Sequence, residues 1–505
     1  MRFNDFTKIF MALSLALLMP GLAHAFGATQ CAASRFGSNL VCSANDVSIS
    51  SITAVGGVPS CVGGQSVTLD LDVTVRFGSP SRWDVGIFIS NDGKDGQLLP
   101  ANGGPASCSV AILPTPSVLP TSPFLDLDPG PWGGTRDVCG DGNGTIGGGT
   151  GIGVLRMNSV TLGCKAISST GKLSVPFVVS WDNQSSPSGA TCTSPNDPVP
   201  NTTSKCNAMS TNTVDVVVLP AITKTDGLTI ITPGDTTSYT ITISNTTGID
   251  LSTANSNAAV FKDPAVSNLS VSSVSCLASG GATCPAAGAA LTVANMQGAS
   301  GVTIPSMPKD STVVFTVNAQ LTGNPTGDLI NVATVSSNGF SNSASDVDKI
   351  VYPSLVHMKT VLVISDPVNG ASNPKFIPGA EALYSLSVTN TGQGTVDANG
   401  TFITDPVPAN TELYVGDLGG AGSGPVAFTN GTPTSNLTWT YTSLASTTDD
   451  VAFSNNGGST FTYTPIGSTY DSAVTHIRFN PKGKMAASIG LGGPSFTLGF
   501  KVRIK

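Results

Sequence analysis

"PGDTTSYTITISNTTG" at residues 233–248 and "PGAEALYSLSVTNTGQG" at residues 378–394 decide the fold. Each opens on Pro-Gly, a pair that starts a chain reversal. Each then alternates. In the first, Tyr239, Ile241 and Ile243 line one side, while Thr240, Thr242 and Ser244 line the other. A period of two marks a strand with one buried face. The Asn-Thr-Thr-Gly that closes the first copy tolerates the positive φ of a following turn. The Pro-Gly, the tyrosine (Tyr239, Tyr384) and the asparagine (Asn245, Asn390) recur 145 residues apart. A unit of that length means two tandem domains and not a short-repeat solenoid.

The repeat extends on both sides. Lys224-Thr225 and Lys359-Thr360 precede the two copies, and Asp263-Pro264 and Asp405-Pro406 follow them. Further alternating runs close each unit, "STVVFTVNAQL" at 311–321 and "SFTLGFKVRIK" at 495–505. Composition agrees. Charged residues make up 11% of the 505 residues, and only two glutamates occur, Glu381 and Glu412. Exposed helices are normally built from Glu, Lys, Gln and Arg, so strands joined by Gly, Asn and Pro turns are expected throughout. The expected fold is all-β. A disulfide-rich N-terminal β domain (26–219) leads two immunoglobulin-like β-sandwiches (220–350 and 351–505), whose strand and turn spacing suits an antiparallel sandwich.

The succession Lys-Thr, Pro-Gly, Tyr, Asn-Thr-x-Gly and Asp-Pro-x-Pro (Asp405-Pro406-Val407-Pro408) resembles the DUF11 family, a conserved repeat of bacterial surface and secreted proteins that includes the cysteine-rich outer-membrane proteins of chlamydiae. The resemblance covers about 222–348 and the opening of 355–505. The first copy lacks the second proline after Asp263-Pro264. It implies an immunoglobulin-like sandwich used as a spacer or assembly module, and it carries no catalytic residues.

Residues 1–25 read as a signal peptide. Arg2 and Lys8 precede an apolar run from Ile9 to Leu18, and Ala23-His24-Ala25 offers a small-residue cleavage site. Cleavage moves the formal charge from −8 to −9, because the leader carries two cations and one anion. An acidic chain with scattered charge is a poor nucleic-acid binder. No later stretch is apolar enough for a transmembrane helix, and no lipobox, sortase-like tail or C-terminal hydrophobic anchor is evident. The expected location is extracellular or cell-surface, with the periplasm as the alternative.

All ten cysteines follow the leader: Cys31, Cys42, Cys61, Cys108, Cys139, Cys164, Cys192, Cys206, Cys276 and Cys284. An even count in an exported chain reads as disulfides. Proximity suggests Cys31–Cys42, Cys192–Cys206 and Cys276–Cys284, with the other four pairing among themselves. Zinc is disfavoured, since no C-x-x-C occurs and only His357 and His476 follow the leader. In the first block, "SVTLDLDVTVRF" and "WDVGIFIS" look like a hairpin or adjacent strands. "KLSVPFVVSW" looks like a strand near an edge because of Pro176.

Gly142, Gly144 and Gly147 satisfy G-x-G-x-x-G, but more glycines follow where a dinucleotide fold needs a helix, so the match is set aside. Calcium is the stronger candidate ligand. Asp137 and Asp141 occupy alternating positions before Gly142, and Asp92, Asp95, Asp126 and Asp128 add carboxylates on nearby loops. Ordinary Asn/Asp-Gly turn chemistry competes with that reading. Trp83, Trp132, Trp181 and Trp439 are candidates for a glycan platform, with strand-end packing as the commoner role. No G-x-S-x-G elbow or assembled acid–base set appears. The expected function is structural or adhesive, acting on an envelope protein or glycan or by self-association through edge strands. The alternatives are a secreted hydrolase or a calcium-dependent glycan-binding protein with its site in 26–219.

Overall fold

The computed structural model describes residues 30–113, 123–125, 127, 140–145, 151–166, 171–184, 192–194, 197–200, 203, 205–466, 469–490 and 492–505. The signal-peptide region, Asp126, Asp128, Trp132, Asp137 and Cys139 lie outside them. The architecture is all-β, with two five-residue α-helices at Ala32–Phe36 and Val293–Gln297.

The first block contains β1 (Val47–Ala54), β2 (Ser66–Phe77), β3 (Trp83–Ser90), β4 (Cys108–Ile112), β5 (Ile152–Gly163), β6 (Phe177–Asp182) and β7 (Lys205–Met209). They form two antiparallel sheets, ordered β1-β2-β5 and β7-β6-β3-β4. Leu71, Val73 and Val75 of β2 share a core with Val85, Ile87 and Ile89 of β3 and with Phe177, Val179 and Trp181 of β6. The runs that form β2 and β3 are therefore not a hairpin. They lie in different sheets, and Arg82 between them is tied to Asp46 at 2.6 Å. β6 is interior rather than near an edge. Pro176 precedes the strand, and its carbonyl accepts a hydrogen bond from the Ser90 amide at 2.9 Å, so no ladder bond is lost. β3 is buried on both faces. Phe88 points away from the main core into a second cluster with Cys31, Cys42, Cys108, Val110, Val178 and Cys206.

The next module is built from β8 (Ala221–Thr225), β9 (Thr236–Ser244), β10 (Val260–Lys262), β11 (Leu269–Ser279), β12 (Thr312–Leu321), β13 (Asp328–Ser337) and β14 (Phe340–Ile350). One sheet runs β8-β9-β12-β11. The other runs from Ile230–Ile231 through β14, β13 and β10 to Val302–Thr303. Tyr239, Ile241 and Ile243 are fully buried against Phe261 and Phe315, whose rings stack at 4.1 Å.

The last module contains β15 (Leu355–Ser365), β16 (Glu381–Asn390), β17 (Ile403–Pro406), β18 (Thr411–Tyr414), β19 (Val426–Asn430), β20 (Val451–Ser454), β21 (His476–Phe479) and β22 (Ser495–Ile504). Its larger sheet runs β15-β16-β22-β18 and on to Tyr470–Asp471, with β19 also on β22. The facing sheet is β17-β21-β20. The alternation of the final strand holds, with Phe496, Leu498, Phe500 and Val502 in the core.

The repeated asparagines do more than permit a turn. Asn245 is fully buried and donates to the carbonyls of Ile249 (2.8 Å) and Met307 (2.6 Å). Asn390 is equally buried and donates to Gly394 (2.9 Å) and Ala486 (2.8 Å). Each clamps a loop onto the sandwich, and in the first copy the positive φ falls on Gly248. The first block and the first sandwich meet without a linker. Val217–Leu219 pairs in parallel with Ser60–Val62, and β8 begins two residues later. At this joint Gly63 lies against Thr246. A Cβ there would stand 2.4 Å from the Thr246 carbonyl oxygen, so only glycine fits.

Four disulfides form among the described residues: Cys31–Cys108, Cys42–Cys206, Cys61–Cys164 and Cys276–Cys284. The expected Cys31–Cys42 and Cys192–Cys206 pairs are not formed, and Cys108 pairs outside the set to which sequence proximity assigned it. Sheet topology decides the partners. Ser43 bridges Asn207, which brings Cys42 to Cys206, and the Cys164 amide donates to Gln65 close to Cys61. The Cys192 side chain lies outside the description. Removing Cys42–Cys206, whose partners are 164 residues apart, by the Cys42→Ser/Cys206→Ser pair is expected to cost the first block about 3–5 kcal/mol. Scanning calorimetry should show one transition lowered by roughly 10 °C and the transitions of the sandwiches unmoved.

Candidate functional site: buried charge in the tandem modules

The lysine and the Asp-Pro of the repeat meet inside each sandwich. In the first, Lys224 projects inward from β8 and Asp263 follows β10 in the opposite sheet. The Lys224 Nζ lies 2.6 Å from Asp263 Oδ1, with the two side chains 0% and 3% exposed. Nζ also sits 4.7 Å from the centre of the Tyr239 ring. Asp263 Oδ2 has no hydrogen-bond partner. Burial pushes the lysine below its ordinary range and the aspartate above its own, each partly offset by the other's charge. Dry surroundings disfavour both charges, so the pair is drawn toward its neutral forms.

A second acidic feature adjoins it. Asp226 follows β8, and Asp346 and Asp348 project inward from β14. One oxygen from each lies within 4.8 Å of the others, the single such group among the described residues. Asp226 accepts hydrogen bonds from the Leu228 amide (2.8 Å) and the Thr237 hydroxyl. Asp348 is fully buried, and neither of its oxygens has a donor. Burial, then repulsion from Asp226 and Asp346, raises its pKa to about 7. Asp346 is raised by burial and by Asp226, and burial with the same carboxylates raises the Tyr239 phenol. Asn331, opposite Asp346 on β13, is buried with its Oδ1 unpaired. These hard oxygens are the described atoms best placed to share a cation.

The last module repeats the pair in a wetter setting. Lys359 Nζ lies 2.6 Å from Asp405 Oδ1, but the lysine side chain is 32% exposed. Its amine stands 4.8 Å from the Tyr384 ring centre and 5.5 Å from that of Phe500. In the first module β14 packs over β8. Among the described residues no strand covers β15 in that way, and the facing sheet stops at β17. A groove of about 490 Å³ remains, lined by Leu355, His357, Lys359, Val388, Phe402 and Asp405.

Of the carboxylates singled out from sequence for calcium, the three among the described residues, Asp92, Asp95 and Asp141, are engaged by the protein itself. Asp141 is fully buried and accepts from the backbone amides of Asp84 (2.9 Å) and Leu127 (2.6 Å). Asp92 accepts from Ser90 and the Ala106 amide, and Asp95 from the Gln97 amide, as turn carboxylates do. Trp181 is a core residue, while Trp439 is half-buried and stacks on Phe428. His476 leaves Nδ1 without a partner, so no carboxylate orients that nitrogen as a nucleophile's base would need. Sequence reasoning noted Lys224 and Asp263 as repeat markers without joining them, and it missed Asp226, Asp346 and Asp348. The signal was present. On β14 the two aspartates share parity with Ala344 and Ile350, which pack against the core.

No family model matches the chain, and no curated protein matches it. Among solved structures, the C-terminal domain of the Streptococcus pyogenes antigen I/II-family protein AspA aligns at 14% identity over 57% of this chain and 91% of its own, with a TM-score of 0.26. The C-terminal domain of the Streptococcus agalactiae AgI/II polypeptide BspA aligns at 14% identity over 56% and 92%, with a TM-score of 0.25. BcpA, the major pilin subunit of Bacillus cereus, aligns at 12% identity over 70% and 91%, with a TM-score of 0.20. Superpositions this loose carry no argument about the present chain.

The acidic cluster makes stability depend on pH. Asp348 holds its proton to about pH 7 in the fold, against a reference value of 3.8. The folded state therefore binds more protons than the unfolded state between those values, and stability falls as pH rises through them. Asp348→Asn is expected to remove that slope and to stabilise the protein at pH 8 by about 1–2 kcal/mol. Melting curves at pH 4.5 and pH 8 check it, and the gain should be absent at the lower pH.

Proposed function

We propose that the protein is an exported structural or adhesion-type protein of the cell surface, acting by interaction, with the DUF11-like sandwiches spacing and presenting the disulfide-bonded first block. The observation that carries this reading is β15. It is the free edge of its sheet, with Leu355, Val356, Met358 and Leu362 exposed by 45%, 55%, 62% and 65%. Soluble proteins normally blunt such an edge with charge, proline or a covering loop. An apolar edge strand beside an open groove suits β-augmentation, in which a partner's strand adds to the sheet and its side chains enter the groove. The long-range disulfides fit an oxidising compartment. None of the described helices is long and apolar enough to cross a membrane.

External protease applied to intact cells should cut the native protein, and protection inside the envelope would count against a surface role. Met358→Lys with Leu362→Lys, both on exposed positions of β15, should weaken association at least tenfold by analytical ultracentrifugation or envelope-binding assay. Circular dichroism should stay unchanged. Equal association by wild type and variant would remove β15 from the function.

A further inference from the structure

We propose that the last sandwich carries a binding site for a carboxylate-bearing sugar on the outer face of its smaller sheet, centred on Arg478. A cavity of about 620 Å³ lies there, within the size range of small-ligand sites. Its floor is formed by β20 and β21. Ile477 and Phe479 of β21 turn into the core, so Arg478 between them turns outward, opposite Ala452 on β20 and Thr404 on β17. Residues 444–450 and 461–464 supply the walls. Phe402 also lines the cavity and is 63% exposed. Backbone bonds hold the walls in place. The Tyr463 amide donates to the Phe453 carbonyl at 3.1 Å, and the Asp450 amide to the Thr440 carbonyl at 3.0 Å. A site formed in advance loses little binding energy to ordering.

Charge decides the ligand. The other charged groups of the cavity are already engaged. Asp449 accepts from the Thr442 and Ser443 amides at 2.8 and 3.1 Å. Asp450 accepts from the Thr440 amide at 2.6 Å and lies 3.7 Å from the Lys482 Nζ, which also donates to Asn480. Arg478 differs. Among the described residues its guanidinium has no hydrogen-bond acceptor and no ion-pair partner. It lies on the Phe461 ring, with Cζ 4.6 Å from the ring centre. Stacking on an aromatic face fixes the guanidinium plane and leaves its edge donors free. That fork matches a carboxylate through two parallel hydrogen bonds.

The surroundings favour a sugar acid over an acidic peptide. Thr447, Thr462 and Thr464 expose their side chains along the walls, where hydroxyls can meet those of a sugar. The open face of Phe402 suits the C–H face of a sugar ring. A peptide strand finds no ladder to join, because Tyr463 already bridges Phe453 on the outer strand β20. The site shares Phe402 with the groove beside β15 but does not use that strand.

The test is isothermal titration calorimetry of the purified full-length exported protein with 3′-sialyllactose, trigalacturonic acid and neutral maltotriose. At least one of the two acids should bind about tenfold or more tightly than maltotriose, and the acid that does so identifies the source of the sugar. Arg478→Gln should abolish that preference with the melting temperature unchanged, since the guanidinium holds no other described group. Arg478→Lys keeps the charge but should lose about tenfold, because an ammonium can neither stack nor form the paired bonds. Phe402→Ala should weaken the preferred acid several-fold. Met358→Lys with Leu362→Lys should bind the acid as wild type does, which separates failure of this site from failure of the β15 reading. No binding of either acid, equal affinity for acid and neutral sugars, or wild-type affinity in Arg478→Gln overturns the site. A hexaglutamate peptide that binds as tightly as the sugar acids overturns its assignment to a sugar.

Discussion

A lysine and an aspartate enclosed between two sheets constrain everything around them. Neither Lys224 nor Asp263 can reach water, so each must meet the other, and the strands that carry them must hold their spacing. β8 and β10 belong to different sheets. The contact therefore fixes the distance and the stagger of the sandwich at the point where the chain enters it. Breaking one partner would strand a charge in the core, a penalty of about 3–5 kcal/mol. The apolar side chains around the pair are less demanding, since cores tolerate exchange of similar volumes.

The two sandwiches show what the enclosure depends on. Their first strands carry the same Lys-Thr, their Asp-Pro segments deliver the same carboxylate, and tyrosine lies under each amine. The difference is the covering strand. β14 lies over β8 and brings Asp346 and Asp348 into the interior, whereas β15 has no such neighbour among the described residues. One pair is consequently dry and crowded by acid, and the other opens on a groove. Covering changes the chemistry of identical residues, and without it β15 keeps its apolar side chains exposed.

Much of this architecture is legible in the sequence because β-structure writes its burial in a period of two. The runs at 66–77, 236–244, 312–321 and 495–504 all become strands with the expected faces inward. What resists reading is which strands meet. The runs at 66–77 and 83–90 are separated by a turn sequence, yet they diverge into opposite sheets. Pro176 marks a strand boundary and not a sheet edge. Disulfides follow the same rule, since Cys42 and Cys206 are neighbours only because Ser43 pairs with Asn207. The buried acids were hidden for another reason. Alternation sets Asp346 and Asp348 on the face of Ala344 and Ile350, but β14 carries polar residues on both faces, so the buried side is not evident until β8 is laid against it.

The joints between units follow from the same shortage of helix and charge. A chain with few ionic side chains cannot rely on surface salt bridges to orient its domains, and such bridges are worth little in water. The first joint uses backbone instead. Val217–Leu219 completes a parallel pair in one unit two residues before β8 begins the next, and Ala166 and Gly63 bond to the Thr246-Thr247 turn. The second joint is polar and more exposed, with Lys484 on Asp235 at 2.5 Å, Lys349 on Gln393 at 3.1 Å and the Tyr352 hydroxyl on the Pro325 carbonyl at 2.6 Å. Backbone contributes there too, since the Val351 amide donates to the Ile231 carbonyl at 2.9 Å, the Gly394 amide to the Tyr352 carbonyl at 2.9 Å and the Thr391 amide to the Ser354 carbonyl at 2.7 Å. The four residues between β14 and β15 are thus bonded through their backbone to both sandwiches, and β15 starts directly from them with its apolar edge exposed.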